Sequence, residues 1–145
     1  MKTFLDNANR TWTVSITVDS IKRVKGLLGV NLLDAVGGDL LEKLVGDPVL
    51  LCDVVFALCK QQAEQLSVSD EDFGRSMAGD AIERATTALL EDLVDFFPGQ
   101  RRKLLAKALD KLRAMENVAF QAAQKRLDDP SLEAQVLAAV NGSKD

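Results

Sequence analysis

At residue 19 the apolar residues of this chain change period, and that change limits the folds open to it. Before it, Trp12, Val14, Ile16 and Val18 alternate with Thr11, Thr13, Ser15 and Thr17. Alternation in β-branched and aromatic residues puts one set on each face of a strand. Phe4 and its neighbours precede this run across Asp6-Asn7-Ala8-Asn9-Arg10, a polar segment suited to a turn. The two runs predict a β-hairpin over residues 2–18. A lone hairpin is marginal in water, so its apolar face must lie on helices, and its outer edges are open to pairing with another chain.

After residue 19 the spacing is helical. Asp19 is the expected N-cap of a helix carrying Ile21, Val24, Leu27 and Leu28 and ending at Gly29. A short amphipathic segment over 32–45 is interrupted by Gly37-Gly38. Asp47-Pro48 is a strong start signal, with a capping carboxylate followed by a residue that needs no amide partner. The helix expected over 48–66 bears Leu51, Cys52, Val55, Cys59, Ala63 and Leu66. Its first half is apolar nearly all round, which places it at the centre of the core. Ser69-Asp70-Glu71-Asp72 opens a short helix through Phe73 and Met77. Asp80 and Glu83 have capping-box spacing for the next, which turns Ile82, Ala85, Leu89, Leu93 and Phe96 inward until Pro98-Gly99. A long helix over 100–127 repeats Leu105, Ala108, Leu112, Met115, Ala119 and Ala122 at steps of three and four. Asp129-Pro130 then starts a last helix through Leu132, Val136 and Val140, and residues 141–145 are expected to fray.

The fold class predicted is mainly α, a helical bundle with an N-terminal β-hairpin. With no repeat and no linker-like stretch, one domain is expected over 2–140: hairpin 2–18, helical core 19–97, and a long basic helix with a short C-terminal helix over 98–140. The period of the long helix has two readings. One is burial within the domain; the other is a seam for a neighbouring helix, which points to self-association.

Composition narrows the function. Among 145 residues, 47% are apolar and 28% charged, as in a folded globular chain. A net charge of −4 opposes general nucleic-acid binding, which needs excess positive charge. No apolar run approaches the roughly 20 residues that cross a bilayer, and one lysine with no apolar stretch behind it makes no signal peptide. A cytoplasmic protein without a membrane partner is therefore expected. Cys52 and Cys59, seven apart on one helix, stand about 10 Å apart, too far for a disulfide, and read as small buried hydrophobes in a reducing compartment.

Chemistry is sparse. The chain has no histidine, the commonest general base and metal ligand. No zinc spacing, phosphate loop or nucleophile elbow occurs. Counted from Asp70 as a calcium loop, the required glycine and glutamate positions hold Arg75 and Ala81. Asp92 and Asp95, three apart, read as a solvated helix face. The expectation is a non-enzyme with no catalytic residues, cofactor or metal.

Charge is unevenly placed. Residues 66–97 hold eight acidic side chains against two arginines, and residues 98–127 hold eight basic ones against two acidic. The plain reading is an antiparallel helix pair whose flanks attract one another. The sharper one is that Arg101, Arg102, Lys103, Lys107 and Lys111 form a basic face for an acidic partner or another subunit. Nucleic-acid binding ranks third, because no aromatic residue is interleaved for base stacking. Phe97 lies about 100° round the helix from Phe96. It either completes a broad core face or joins a contact patch with Trp12 or Phe120.

The order of segments also resembles a family. The hairpin ending Trp12-Thr13-Val14-Ser15-Ile16-Thr17-Val18 leads into Ile21-Lys22-Arg23-Val24. An Asp-Pro-started apolar helix follows, then Val68-Ser69-Asp70-Glu71-Asp72-Phe73, then an acidic helix ending Asp95-Phe96-Phe97-Pro98. Over residues 2–98 this is similar to the tail assembly chaperones of tailed bacteriophages and prophages. The resemblance implies a non-catalytic protein that binds the tape measure protein and promotes tail tube polymerisation, and that can self-associate. Two other readings stand beside it: a structural tail-completion or connector protein retained in the particle, and a small helical regulatory or nucleic-acid-associated protein.

Overall fold

The computed structural model describes residues 1–142. Its described residues form a two-stranded antiparallel hairpin and eight α-helices, with a 3-10 turn at Leu32–Ala35. The elements are β1 (Lys2–Leu5), β2 (Thr11–Val14), α1 (Val18–Leu28), α2 (Leu40–Gly46), α3 (Pro48–Leu58), α4 (Lys60–Leu66), α5 (Asp70–Arg75), α6 (Asp80–Phe96), α7 (Gly99–Leu127) and α8 (Pro130–Gly142). This is the mainly α bundle with an N-terminal hairpin that the periodicity predicts. Ser143 to Asp145, the rest of the expected fraying end, lie outside the described residues.

The chain divides into two compact units, Met1–Lys107 and Ala108–Asp145. The boundary falls inside α7, where no change of composition marks it. In the first unit α3 is the central element, packed against α1, α2 and α6. Leu51, Val54 and Val55 are fully buried there, meeting a core that includes Trp12, Val14, Val24, Phe73, Leu89 and Leu93. The Trp12 ring stands edge-on to Phe73, centroids 5.2 Å apart. In the second unit the side chains are almost all exposed.

The start signals work as the chemistry requires at several positions. Asp47 Oδ1 accepts from the amides of Val49 (3.0 Å) and Leu50 (3.1 Å), with Pro48 at the first helical position. Ser69 Oγ accepts from the Asp72 amide at 3.1 Å, and Asp129 Oδ1 from that of Ser131 at 3.0 Å. Gly29 closes α1 in the left-handed conformation, φ 68°.

Four boundaries differ from expectation. Pairing stops at Val14 instead of running to Val18; Ile16 keeps its inward position, but Val18 is already the exposed first residue of α1. The cap of α1 is Thr17, joined to Ser20 in a reciprocal capping box, while Asp19 pairs with Arg23 at 3.1 Å. The helix expected over 48–66 is broken at Cys59, whose amide is shared between the carbonyls of Val55 (2.9 Å) and Phe56 (3.1 Å). Gly79, at φ 59° and ψ −130°, takes the N-cap place expected of Asp80, and no side chain caps α6.

Candidate protein-binding surfaces

The aromatic candidates lie in the core. Trp12 is 0% and Phe97 2% exposed, so neither presents a surface to a partner, whereas Phe120 in the second unit is 68% exposed. Phe97 meets Phe96 edge-on at 5.2 Å, which is the core reading of this pair. The indole of Trp12 is held through its nitrogen: Nε1 donates to Asp6 Oδ2 at 2.8 Å.

Asp6 organises the whole turn between the strands. Its Oδ1 accepts from the amides of Ala8 (2.8 Å) and Arg10 (3.0 Å), and its Oδ2 also accepts from Arg10 Nε at 2.8 Å. Burial raises the pKa of this carboxyl, but the bonds from Trp12, Arg10 and the two turn amides outweigh it and hold the group below 3.8. Arg10 Nη2 continues to Ser76 Oγ at 2.7 Å, and the Asn7 amide donates to the Ser76 carbonyl at 2.9 Å. The turn is thereby tied to the end of α5.

The basic candidates differ in their surroundings. Arg102 is committed to the chain itself, donating from Nε to the Phe97 carbonyl (2.9 Å) and from Nη2 to that of Asp95 (3.0 Å). It satisfies the orphan carbonyls at the end of α6. Arg101, Lys103 and Lys107 line a shallow hollow of about 500 Å³ with Gln100 and Leu104. Lys111 is exposed and belongs to the second unit. Within the first unit no ion pair joins the acidic residues of α6 to the basic start of α7 among the described residues.

The two edges of the hairpin differ. At β2, Gln62 of α4 closes the edge: its Oε1 accepts from the Thr13 amide (3.0 Å) and its Nε2 donates to the Thr11 carbonyl (2.7 Å). The Cys59 thiol adds a contact to the Thr13 carbonyl at 3.4 Å. The Thr13 amide therefore points away from β1, and Thr3, its register partner, belongs to a pair that turns its backbone groups outward. Leu5 is outward in the same way, and its carbonyl accepts from Arg84 Nε at 3.1 Å. Between this β1 edge and α6 runs an open groove of about 830 Å³, with Asp80, Glu83, Arg84, Thr87 and Glu91 on its helical side.

Asp92 fixes the hairpin to α6. It is 3% exposed; Oδ2 accepts from the Ile16 amide at 2.6 Å and Oδ1 pairs with the Met1 ammonium group. Of the solvated face expected for Asp92 and Asp95, only Asp92 departs: Asp95 is exposed and pairs with Lys2 at the surface at 3.4 Å. Spacing alone carried one clue to Asp92: it falls on the stripe of Ala85, Leu89 and Phe96, where an acid needs a buried partner.

A further hollow of about 310 Å³ lies between α3 and α5, lined by Val49, Cys52, Asp53, Asp70, Phe73 and Met77 among others. Burial, then the charges of Asp70 and Asp47, push the Asp53 carboxyl up. Burial and Asp53 raise the Cys52 thiol, and burial pushes Cys59 up to about 12. Neither cysteine is a ready thiolate. Among the described residues no group of three or more acidic or cysteine side chains is placed to hold a metal ion. No described helix is long and apolar enough to cross a membrane.

Comparisons with family models, with curated proteins and with solved structures find no match to this chain.

Proposed function

We propose that this chain is a non-catalytic protein-binding factor acting in phage or phage-like tail assembly, where it holds the tape measure protein and promotes tube polymerisation. The observation that carries the binding part of this reading is the second unit. There α7 and α8 leave Met115, Val118, Phe120, Leu127, Val136 and Leu137 between 54% and 72% exposed. In the long helix the expected seam of Leu112, Met115, Ala119 and Ala122 is exposed from Met115 onward. Apolar side chains concentrated on two helices outside a core are characteristic of an association surface. The tail-assembly part rests on the resemblance of residues 2–98.

The test is co-expression with a tape measure protein encoded by the same phage or prophage under this reading, followed by pull-down. A soluble complex is expected, and it should be weakened by Phe120→Ser with Leu127→Ser, which leave the first unit untouched. A tape measure protein that stays insoluble, or becomes soluble without this chain attached, overturns the reading. Stoichiometric presence of the chain in purified particles would instead favour a retained structural component.

A further inference from the structure

We propose that the open edge of β1 receives an extended, lysine- or arginine-bearing segment of the partner protein as an added third strand, seated in the groove against α6. The inference rests on the protein-binding reading and names the surface and chemistry it would use in the first unit.

Three observations converge on the groove. First, the hairpin offers one edge only. The Thr11 and Thr13 edge of β2 is occupied by Gln62 and Cys59, whereas Thr3 on β1 turns both its amide and its carbonyl outward. Outward backbone groups of this kind are the template for strand addition, which takes its affinity from main-chain hydrogen bonds.

Second, the groove is electrically one-sided. Of its positive groups, Lys2 is paired with Asp95 and the Met1 ammonium with Asp92, while Arg84 donates to the Leu5 carbonyl and keeps its charge, one guanidinium against three carboxylates. Asp80, Glu83 and Glu91 line the helical wall, are exposed, and form no ion pair among the described residues. An incoming segment with positive side chains is attracted and oriented, and an acidic one is repelled. The same charge argues against a second copy of this chain as occupant, since edge-to-edge pairing about a two-fold axis would bring the two acidic walls together. It argues equally against nucleic acid.

Third, the spacing suits a strand. β1 runs antiparallel along α6, with Leu5 beside Arg84 and Met1 and Lys2 beside Asp92 and Asp95. Glu83 and Glu91 are eight residues apart on α6, about 12 Å along the axis. Two side chains four apart on a strand, on the same face, are about 13–14 Å apart. Between the two glutamates the groove is floored by Thr87 and Ala88, which leave room for the side chain midway. The recognised pattern is therefore a basic residue, a small residue two positions on, and a second basic residue two further.

The experiment titrates the full chain with short fluorescent peptides of alternating threonine and valine, carrying either lysine or glutamate at two positions four apart. The lysine peptide is expected to bind and the glutamate peptide not. Glu83→Lys with Glu91→Lys should weaken the lysine peptide by about tenfold or more, the scale of two charge-assisted contacts. Amide exchange at Thr3 should slow at saturation. Thr3→Pro, which deletes the outward amide and no ladder bond, should weaken binding as well, with Trp12 fluorescence reporting whether the hairpin remains folded. Absence of lysine-peptide binding, equal binding by the charge-reversed variant, or unchanged Thr3 exchange overturns the proposal. A tape measure protein captured equally by wild type and the charge-reversed variant overturns it too while leaving the proposed function standing. If wild type captures no tape measure protein, the proposed function falls, and the peptide titration still decides the groove.

Discussion

Replacing Asp6 by alanine should destabilise the first unit by about 2–5 kcal/mol, the scale of the hydrogen bonds it removes. The components can be followed bond by bond. Trp12 is 0% exposed, so its indole N–H loses Asp6 Oδ2 and finds no water. A buried donor left without a partner costs about 1–3 kcal/mol. The Ala8 and Arg10 amides lose Oδ1, and because Ala8 is exposed and Arg10 half-buried, water replaces part of that interaction at roughly 0.5–1 kcal/mol each. Arg10 keeps Ser76 Oγ but loses the carboxylate it faces at 2.8 Å.

The assay is urea unfolding followed by fluorescence, because Trp12 is the only tryptophan and reports on the hairpin core. With a denaturant slope of about 2 kcal/mol/M, the midpoint should fall by about 2 M. Asp6→Asn should lose most of the same stability, since an amide group must face either the indole donor or the turn amides with donors of its own. The pH dependence has a definite sign. Asp6 is held below 3.8 in the folded chain, so its contribution is complete above that value and fades as pH falls through the lower folded pKa. The gap between wild type and Asp6→Ala should narrow in that acid range and nowhere above it. A variant that unfolds at the wild-type midpoint at neutral pH would refute the assignment of Asp6 as the organiser of the turn.

Three further outcomes are expected. With Cys59 pushed up to about 12 and Cys52 also raised by burial and by Asp53, the native protein should react slowly with a thiol reagent at mildly alkaline pH and release two fast thiols only when unfolded; rapid native labelling of Cys59 would contradict its burial. Asp53→Asn should raise the urea midpoint slightly at neutral pH, within the 0–1 kcal/mol typical of roughly surface-level charge effects, because a carboxyl whose pKa is raised opposes folding when ionised; a lower midpoint would count against it. Asp47→Ala should cost about 1 kcal/mol through loss of two amide bonds at the start of α3, and an unchanged midpoint would mean that Pro48 alone sets that start.

Local patterns sufficed at three helix starts whose stabilising partners are themselves local. The caps at Asp47, Ser69 and Asp129 each bond amides two or three residues on, and all three were readable from composition. The misplaced boundaries have partners elsewhere or a close competitor. The strand stops at Val14, which pairs with Lys2 at the start of β1, and the Ile16 amide beyond it is taken by Asp92, 76 residues away. The break at Cys59 involves neither glycine nor proline; it coincides with the point where Cys59 and Gln62 turn to the edge of β2, about fifty residues upstream. At α1 the competitor was adjacent: Thr17 and Ser20 satisfy one another, which releases Asp19 to Arg23, and both pairs were present in the sequence. Of the surface candidates, the basic start of α7 was legible as exposed. For Trp12 and Phe97 the sequence offered a core reading beside a contact reading, and their burial agrees with the core one.

The acidic excess of α6 shows most clearly what one-dimensional charge counting misses. Read along the chain, Glu83, Glu91, Asp92 and Asp95 form a single flank awaiting the basic helix. Around the helix they divide. Asp92 turns inward and holds the Ile16 amide, Asp95 holds Lys2, and Glu83 and Glu91 face the groove. The division has an energetic consequence. The hairpin is tethered to α6 by Asp92 at one end and by Arg84 at the other, and the turn is locked separately by Asp6. The β1 edge is therefore held in place before any partner arrives, and a segment adding to it does not have to pay for ordering the hairpin as well as itself. Loosening a tether should thus weaken an added strand without touching the groove's own side chains. This separates a pre-formed edge from one that forms on contact: Asp92→Asn should reduce peptide affinity if the edge is pre-formed, and leave it unchanged if the partner orders the hairpin for itself.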